Sequence, residues 1–174
     1  MSTQVAVAFI SVVAVLLMML AESQLSRHNE RVLRGRGAVE PPDDVYRTMQ
    51  WAYPLAFVLM AIEGAFFGSA PGLRTLVGAA MLGAAKLFKF WAIASLGSRW
   101  TFRVLVPPST PLVTSGPYAL MRHPNYVAVI GELVSMAVLV GARVTGPVGV
   151  ILFGVLIRQR IEVEERALRH PPCT

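Results

Sequence analysis

Val5 to Leu20 is apolar at every position except Ser11. With its flanks the run reaches the ~20 residues that an α-helix needs to cross a bilayer. A lipid-embedded chain must satisfy its own backbone hydrogen bonds, so such a run has few folds open to it. Four further apolar runs follow. The pattern predicts an all-α integral membrane bundle of about five transmembrane helices, over about 4–22, 50–67, 75–96, 125–141 and 145–160, within one membrane domain spanning 1–174. Composition agrees. Only 15% of the 174 residues are charged and the mean hydropathy is +0.57, whereas soluble domains carry roughly 25% charged residues. The last two runs, Tyr126 to Val140 and Gly146 to Ile157, fall short of ~20 residues. They read as a hairpin that spans only by extending past its apolar core; if it does not fully cross, its two ends still face the same side.

The net charge of +6 and a pI near 10.2 raise the question of nucleic acid. The arginines sit between apolar segments, which suits anionic membrane lipids and argues against a nucleic-acid partner. Twelve Lys and Arg lie in the first loop, the third loop and the tail, against Arg74 and Arg143 in the other two loops. This bias puts the N-terminus outside and the C-terminal helix in the cytoplasm. The first run has no Lys or Arg before it, so it reads as a retained helix and not a signal peptide. Cys173 is the single cysteine, which excludes an internal disulfide and a cysteine zinc site. As the second-last residue it forms no prenylation box.

The polar chemistry concentrates in Gly116 to Glu132, GPYALMRHPNYVAVIGE. Gly116-Pro117-Tyr118 is turn chemistry. Pro124 suits the first turn of a helix, which sets Arg122 and His123 at its mouth. Glu132 lies eight residues further on, inside an apolar run. A carboxylate there is costly unless paired, and Lys89, Arg122 and His123 are candidate partners. Lys86 and Lys89 are expected to snorkel to headgroups, and Glu63 to lie near the outer interface. Tyr118 and Tyr126 suit either the interfacial belt or the face of a bound cation. No second His or Cys stands at ligand spacing, so no metal is expected. The connector from Gly97 to Ser115 reads as extended, with Pro107, Pro108 and Pro111, and is long enough to be functional. Arg158 to Leu168 reads as a polar helix beyond the membrane, stopped by Pro171 and Pro172. In it Arg160/Glu164, Glu162/Arg166 and Glu165/Arg169 stand four apart, the spacing of ion pairs on a solvated helix. Small residues four apart, Gly64/Gly68, Ala79/Gly83 and Gly131/Ser135, mark close helix contacts.

GPYALMRHPNY with Glu132, and RIEVEERAL in the tail, resemble the isoprenylcysteine carboxyl methyltransferase family. LGSRWTFRVLV, from Leu96, is a weaker likeness. The first loop is similar to a bacterial branch that O-methylates alkylpyrones or alkylresorcinols, implying a bacterial inner membrane. The resemblance implies an S-adenosylmethionine-dependent enzyme with a lipophilic acceptor, either a prenylcysteine-like carboxylate or a long-chain polyketide hydroxyl. It implies that Leu112, Val113, Gly116, Tyr118, Arg122, His123, Pro124, Tyr126 and Glu132 bind the cofactor. It gives Arg160, Glu164 and Glu165 the catalytic part, closing the pocket or placing the acceptor. The chemistry is compatible: Arg122 or His123 at a helix N-terminus suits the cofactor carboxylate, and Glu132 or Glu165 its ammonium. A phenol acceptor needs a base, for which His123 or Glu164 is placed by type. The longer N-terminal part of the eukaryotic enzymes is not in this chain. Phospholipid N-methylation and a non-catalytic membrane subunit are the competing readings.

Overall fold

The computed structural model describes residues 2–108 and 112–169. Among these it contains five α-helices and no strand: α1 (Thr3–Gly35), α2 (Tyr46–Phe67), α3 (Leu73–Leu96), α4 (Pro124–Val140) and α5 (Thr145–Arg169). The proposed stop at Pro171 and Pro172, together with Cys173, lies outside the described residues.

Three helices, α1, α2 and α3, are long and apolar enough to cross a membrane. At 1.5 Å per residue the 17-residue α4 measures about 25 Å, a little under the hydrocarbon thickness of roughly 30 Å. α5 continues without a break from its apolar half into the polar tail, so the tail is not a separate helix.

α1 extends well past its membrane run, through a stretch whose Leu25, Val32 and Leu33 make a weak helical stripe, and stops where Gly35 and Gly37 break it. It runs to Gly35 where the apolar pattern ends near residue 22. No Gly or Pro interrupts residues 21–34, and Ser26, Asn29 and Leu33 form a buried stripe at helical spacing. The stripe is mostly polar because it grips backbone. The Asn29 amide donates to the carbonyls of Gly97 (3.2 Å) and Trp100 (2.8 Å), and Ser26 Oγ accepts the Phe102 N–H at 2.8 Å. Beyond it, Gly37 turns the chain at φ +81°, and Val39 pairs with Val106 in an isolated antiparallel bridge.

Between lipid-soluble helices the hydrophobic effect gives little, so close packing has to hold them. α3 and α4 meet most closely, where a methyl group on Gly78 would strike the backbone of Leu139. One on Gly64 would come within 2.6 Å of Val140. Gly83 does not share this role, since a methyl group there would meet open space. Phe57, Met60, Leu133, Met136 and Phe153 fill the centre.

A charged layer crosses this core. Lys89 of α3 is buried, and Lys86 half-buried, against Glu22 of α1 and Glu132 of α4, at 2.6–3.3 Å, and the Tyr53 hydroxyl of α2 donates to Glu132 at 2.8 Å. Neither lysine snorkels: Lys89 has 3% of its side chain exposed. Two cations and two anions balance, which is cheaper than extending either lysine away and leaving Glu132 alone.

Glu63 also has a definite task. Its carboxylate accepts the N–H groups of Arg143, Val144 and Thr145 at 2.7–2.9 Å, and the Thr145 hydroxyl at 2.6 Å. It caps α5 from the end of α2. At that same end Gln4 of α1 donates to the Gly64 and Gly68 carbonyls. The opposite end gathers the end of α1, the start of α2, the end of α3, the start of α4 and the tail of α5.

Candidate active site

At that second end the connector folds back over the helices. Gly97–Arg99 forms a short 3-10 turn, Trp100 is buried, and a second 3-10 turn covers Gly116–Ala119. Gly116 sits at φ +60°, a left-handed conformation that favours glycine. A side chain there would also strike Ser95 and Trp91 of α3. Gly116 therefore presses the connector onto α3. Pro124 then opens α4 at its first position, with His123 as the N-cap residue. No side chain caps that terminus.

Connector, α4 and tail enclose a cavity of about 380 Å³, within the size range of small-molecule sites. Leu96, Val104, Leu105, Val106, Leu112 and Leu168 give it an apolar wall. Trp100 adds an aromatic edge, with its indole N–H donating to Asn125 Oδ1 at 3.3 Å. Tyr118, Arg122, His123, Tyr126, Arg160, Glu164 and Glu165 supply the polar side.

The polar side is ordered by hydrogen bonds. His123 Nε2 lies 3.3 Å from Glu165 Oε1, and His123 Nδ1 lies 3.9 Å from Glu164 Oε2. The imidazole stacks on Tyr126 with ring centres 5.6 Å apart. The Tyr126 hydroxyl donates to Glu164 at 2.8 Å and accepts from Arg160 Nε at 2.9 Å. Arg122 reaches Glu165 at 3.2 Å from an exposed position. The hydrogen bond from His123 and the charge of Arg122 hold the Glu165 carboxyl below its usual value. Burial, and then the Glu164 charge, push the Tyr118 phenol above its own.

Nine of the residues singled out from sequence line this one cavity: Leu112, Val113, Tyr118, Arg122, His123, Tyr126, Arg160, Glu164 and Glu165. Gly116, Pro124 and Glu132 do not line it. The first two shape its edge. Glu132 is fully buried in the charged layer, where Lys86 Nζ and the Tyr53 hydroxyl meet one oxygen and Lys89 Nζ lies 3.3 Å from the other; of the three expected partners it meets Lys89, and neither Arg122 nor His123. The tail pairs also differ. Glu165 and Arg169 do pair at 3.5 Å, but Arg160 turns away from Glu164 to Asp44 and Arg166 reaches Asp43. Sequence spacing missed Asp44, Asn125 and Arg99. Asp43-Asp44 directly after Pro41-Pro42 was the available signal for the first.

The sequence pattern of the isoprenylcysteine carboxyl methyltransferase (ICMT) family matches residues 77–170. The chain belongs to the isoprenylcysteine carboxyl methyltransferase family. Every residue lining the cavity falls inside the matched stretch. The chain is 34% identical over 149 residues to the uncharacterised protein YpbQ of Bacillus subtilis, covering 86% of this chain and 89% of that one. It is 25% identical over 147 residues to an uncharacterised protein of Haemophilus influenzae, covering 84% and 86%. No solved structure matches it. Members of the ICMT family use S-adenosylmethionine as methyl donor, and membership points to a membrane methyltransferase. Among the described residues no three His, Cys, Asp or Glu side chains are grouped to hold a metal ion.

Proposed function

We propose that this ICMT-family chain is an S-adenosylmethionine-dependent O-methyltransferase acting on a lipophilic acceptor at the cytoplasmic face of a bacterial inner membrane. The observation that carries the reading is the cavity itself. It combines an apolar wall, the aromatic side chains of Trp100, Tyr118 and Tyr126, and two carboxylates at one helix mouth, all within the family's matched stretch.

The residues fit the donor. The cavity of about 380 Å³ has the size for a nucleoside with an amino-acid tail. The N-terminus of α4 has no side-chain cap, and His123 and Asn125 open it to the cavity, which suits a carboxylate. Glu164 and Glu165 supply the negative charge that an ammonium needs, while Tyr118 and Tyr126 offer ring faces. The apolar wall suits a purine. When bound, S-adenosylmethionine supplies an electrophilic methyl group on a sulfonium. The chain's part is alignment and exclusion of water, which together account for much of the rate in a transfer of this kind. His123 and Glu164 are the groups able to hold a proton taken from an acceptor hydroxyl. A carboxylate acceptor needs no such base.

The acceptor is taken from the bilayer, because the site stands at the end of a bundle whose outer faces are apolar. It is a prenylcysteine-like carboxylate or a long-chain polyketide hydroxyl. Membranes containing the protein are to be incubated with tritiated S-adenosylmethionine and each acceptor class. Transferred label that base releases as methanol marks an ester, and base-stable label on an aryl oxygen marks an ether. Label on an amine headgroup alone would replace this reading with phospholipid N-methylation. No transfer to any acceptor class by protein that is folded and present would favour a non-catalytic subunit.

A further inference from the structure

Asp44 lies in the loop before α2, outside residues 77–170 and away from the cavity wall. Its side chain is nevertheless 3% exposed. One oxygen accepts the Tyr46 N–H at 3.1 Å and pairs with Arg160 Nη1 at 3.0 Å. The other accepts the Val104 N–H at 2.9 Å. Asp44 thus joins the start of α2, the connector and α5 at one carboxylate.

Arg160 is almost as deeply buried, with 6% of its side chain exposed. Each nitrogen of its planar fork has a partner. Nη1 goes to Asp44, Nη2 to the Phe102 carbonyl, and Nε to the Tyr126 hydroxyl. A guanidinium has fixed donor directions, so setting one arm sets the others. The Tyr126 hydroxyl in turn donates to Glu164, one of the two carboxylates on the cavity. The chain of contacts runs Asp44, Arg160, Tyr126, Glu164.

We propose that Asp44 is a positioning residue: it fixes the Arg160 guanidinium, and through it the Tyr126 hydroxyl and the Glu164 carboxylate. The loop carrying it is then a working part of the site, although it lies outside the stretch that carries the cavity. The consequence for donor binding rests on the methyltransferase reading. The orientation of Tyr126 does not.

The test therefore has two readouts. Asp44→Asn keeps the shape and the Val104 contact but removes the charge. Arg160→Lys keeps a charge and removes the fork. The first readout is the Cζ resonance of Tyr126 in tyrosine-labelled protein, assigned with Tyr126→Phe, with the Tyr53 resonance as the folding control. Asp44→Asn is expected to shift Tyr126 in the same sense as Arg160→Lys and to leave Tyr53 in place. An unmoved Tyr126 overturns the proposal whatever the reaction. The second readout is S-adenosylmethionine affinity by calorimetry across the double-mutant cycle. Asp44→Asn is expected to weaken binding about tenfold in the wild-type background and by no more than about twofold beside Arg160→Lys. An equal loss in both backgrounds would mean that Asp44 acts independently of Arg160, and sinks the idea. If the wild type binds no S-adenosylmethionine, the methyltransferase reading fails and the Tyr126 resonance still decides the positioning claim. Should Asp44→Asn not fold, Asp44→Glu takes its place. It displaces the charge by one methylene and is expected to shift Tyr126 less, in the same direction.

Discussion

His123, Glu164 and Glu165 are ordinary residues given specific tasks by their neighbours. The Glu165 carboxyl is held below the usual range by His123 first and then by the charge of Arg122. A lowered carboxyl contributes its contact fully above its ordinary value, and the contact is lost as pH falls through the lowered one. Titration of the Glu165 side-chain carbon by NMR should therefore give a midpoint under the ordinary 4.5, returning toward it in His123→Ala. A midpoint unaffected by that substitution would contradict the pairing. Glu132 belongs to a different calculation. Glu132→Gln leaves Lys86 and Lys89 with Glu22 alone, and breaking a buried pair costs roughly 3–5 kcal/mol. Thermal unfolding in detergent should show that loss, while S-adenosylmethionine affinity of the protein that remains folded stays as in wild type. A large loss of affinity without loss of stability would move Glu132 back to the cavity. These roles differ in how legible they were. The GPY–RHP motif and the tail charges could be read from spacing. The pairing of Glu132 with Lys89 was one of several open choices, because spacing along one helix says nothing about which other helix faces it.

At the scale of elements, the connector is the part that makes a site out of a bundle. That its described residues between Trp100 and Ser115 form no helix followed from its prolines and β-branched residues, although it opens with a 3-10 turn at Gly97–Arg99. Its docking did not, because it is held by buried polar groups, Ser26 and Asn29, on a stretch of α1 that has almost no apolar stripe. Hydrophobic periodicity cannot detect a helix face whose partners are backbone carbonyls and amides. The same blindness hid Glu63, whose task is to bond the N–H groups that start α5. Gly116 offers a direct test of how the connector seats. Gly116→Ala adds a side chain at positive φ, against Ser95 and Trp91. It should destabilise the protein by about 1–3 kcal/mol and weaken donor binding, as read by unfolding and calorimetry on one preparation. Wild-type values for both would show that the connector has room to shift.

For the whole molecule, the number of bilayer crossings sets which faces the helix ends share. Three helices qualify by length and composition. We propose that α4 and α5 cross as well, an idea supported by the hydrogen bonds of Glu63, at the end of α2, to residues 143 to 145. That tie brings the tip of the α4–α5 hairpin level with the end of a helix long enough to span. Cysteines introduced singly in a Cys173→Ser background can be labelled in intact cells with an impermeant maleimide. Ser69→Cys and Val144→Cys should both label from outside, and Arg36→Cys only after lysis. Failure of Val144→Cys to label while Ser69→Cys does would make the hairpin re-entrant. In either case the two ends of the hairpin stay on one side, so the cavity keeps its place beside the basic loops. The proposed function requires this cavity to hold S-adenosylmethionine. It is tested by titrating S-adenosylmethionine into the detergent-purified protein, with lipid present, beside His123→Ala. Binding should be saturable and weaken about tenfold in the variant, the scale of one charge-assisted hydrogen bond. Folded wild-type protein that binds no S-adenosylmethionine, or that binds it equally well without His123, would contradict it.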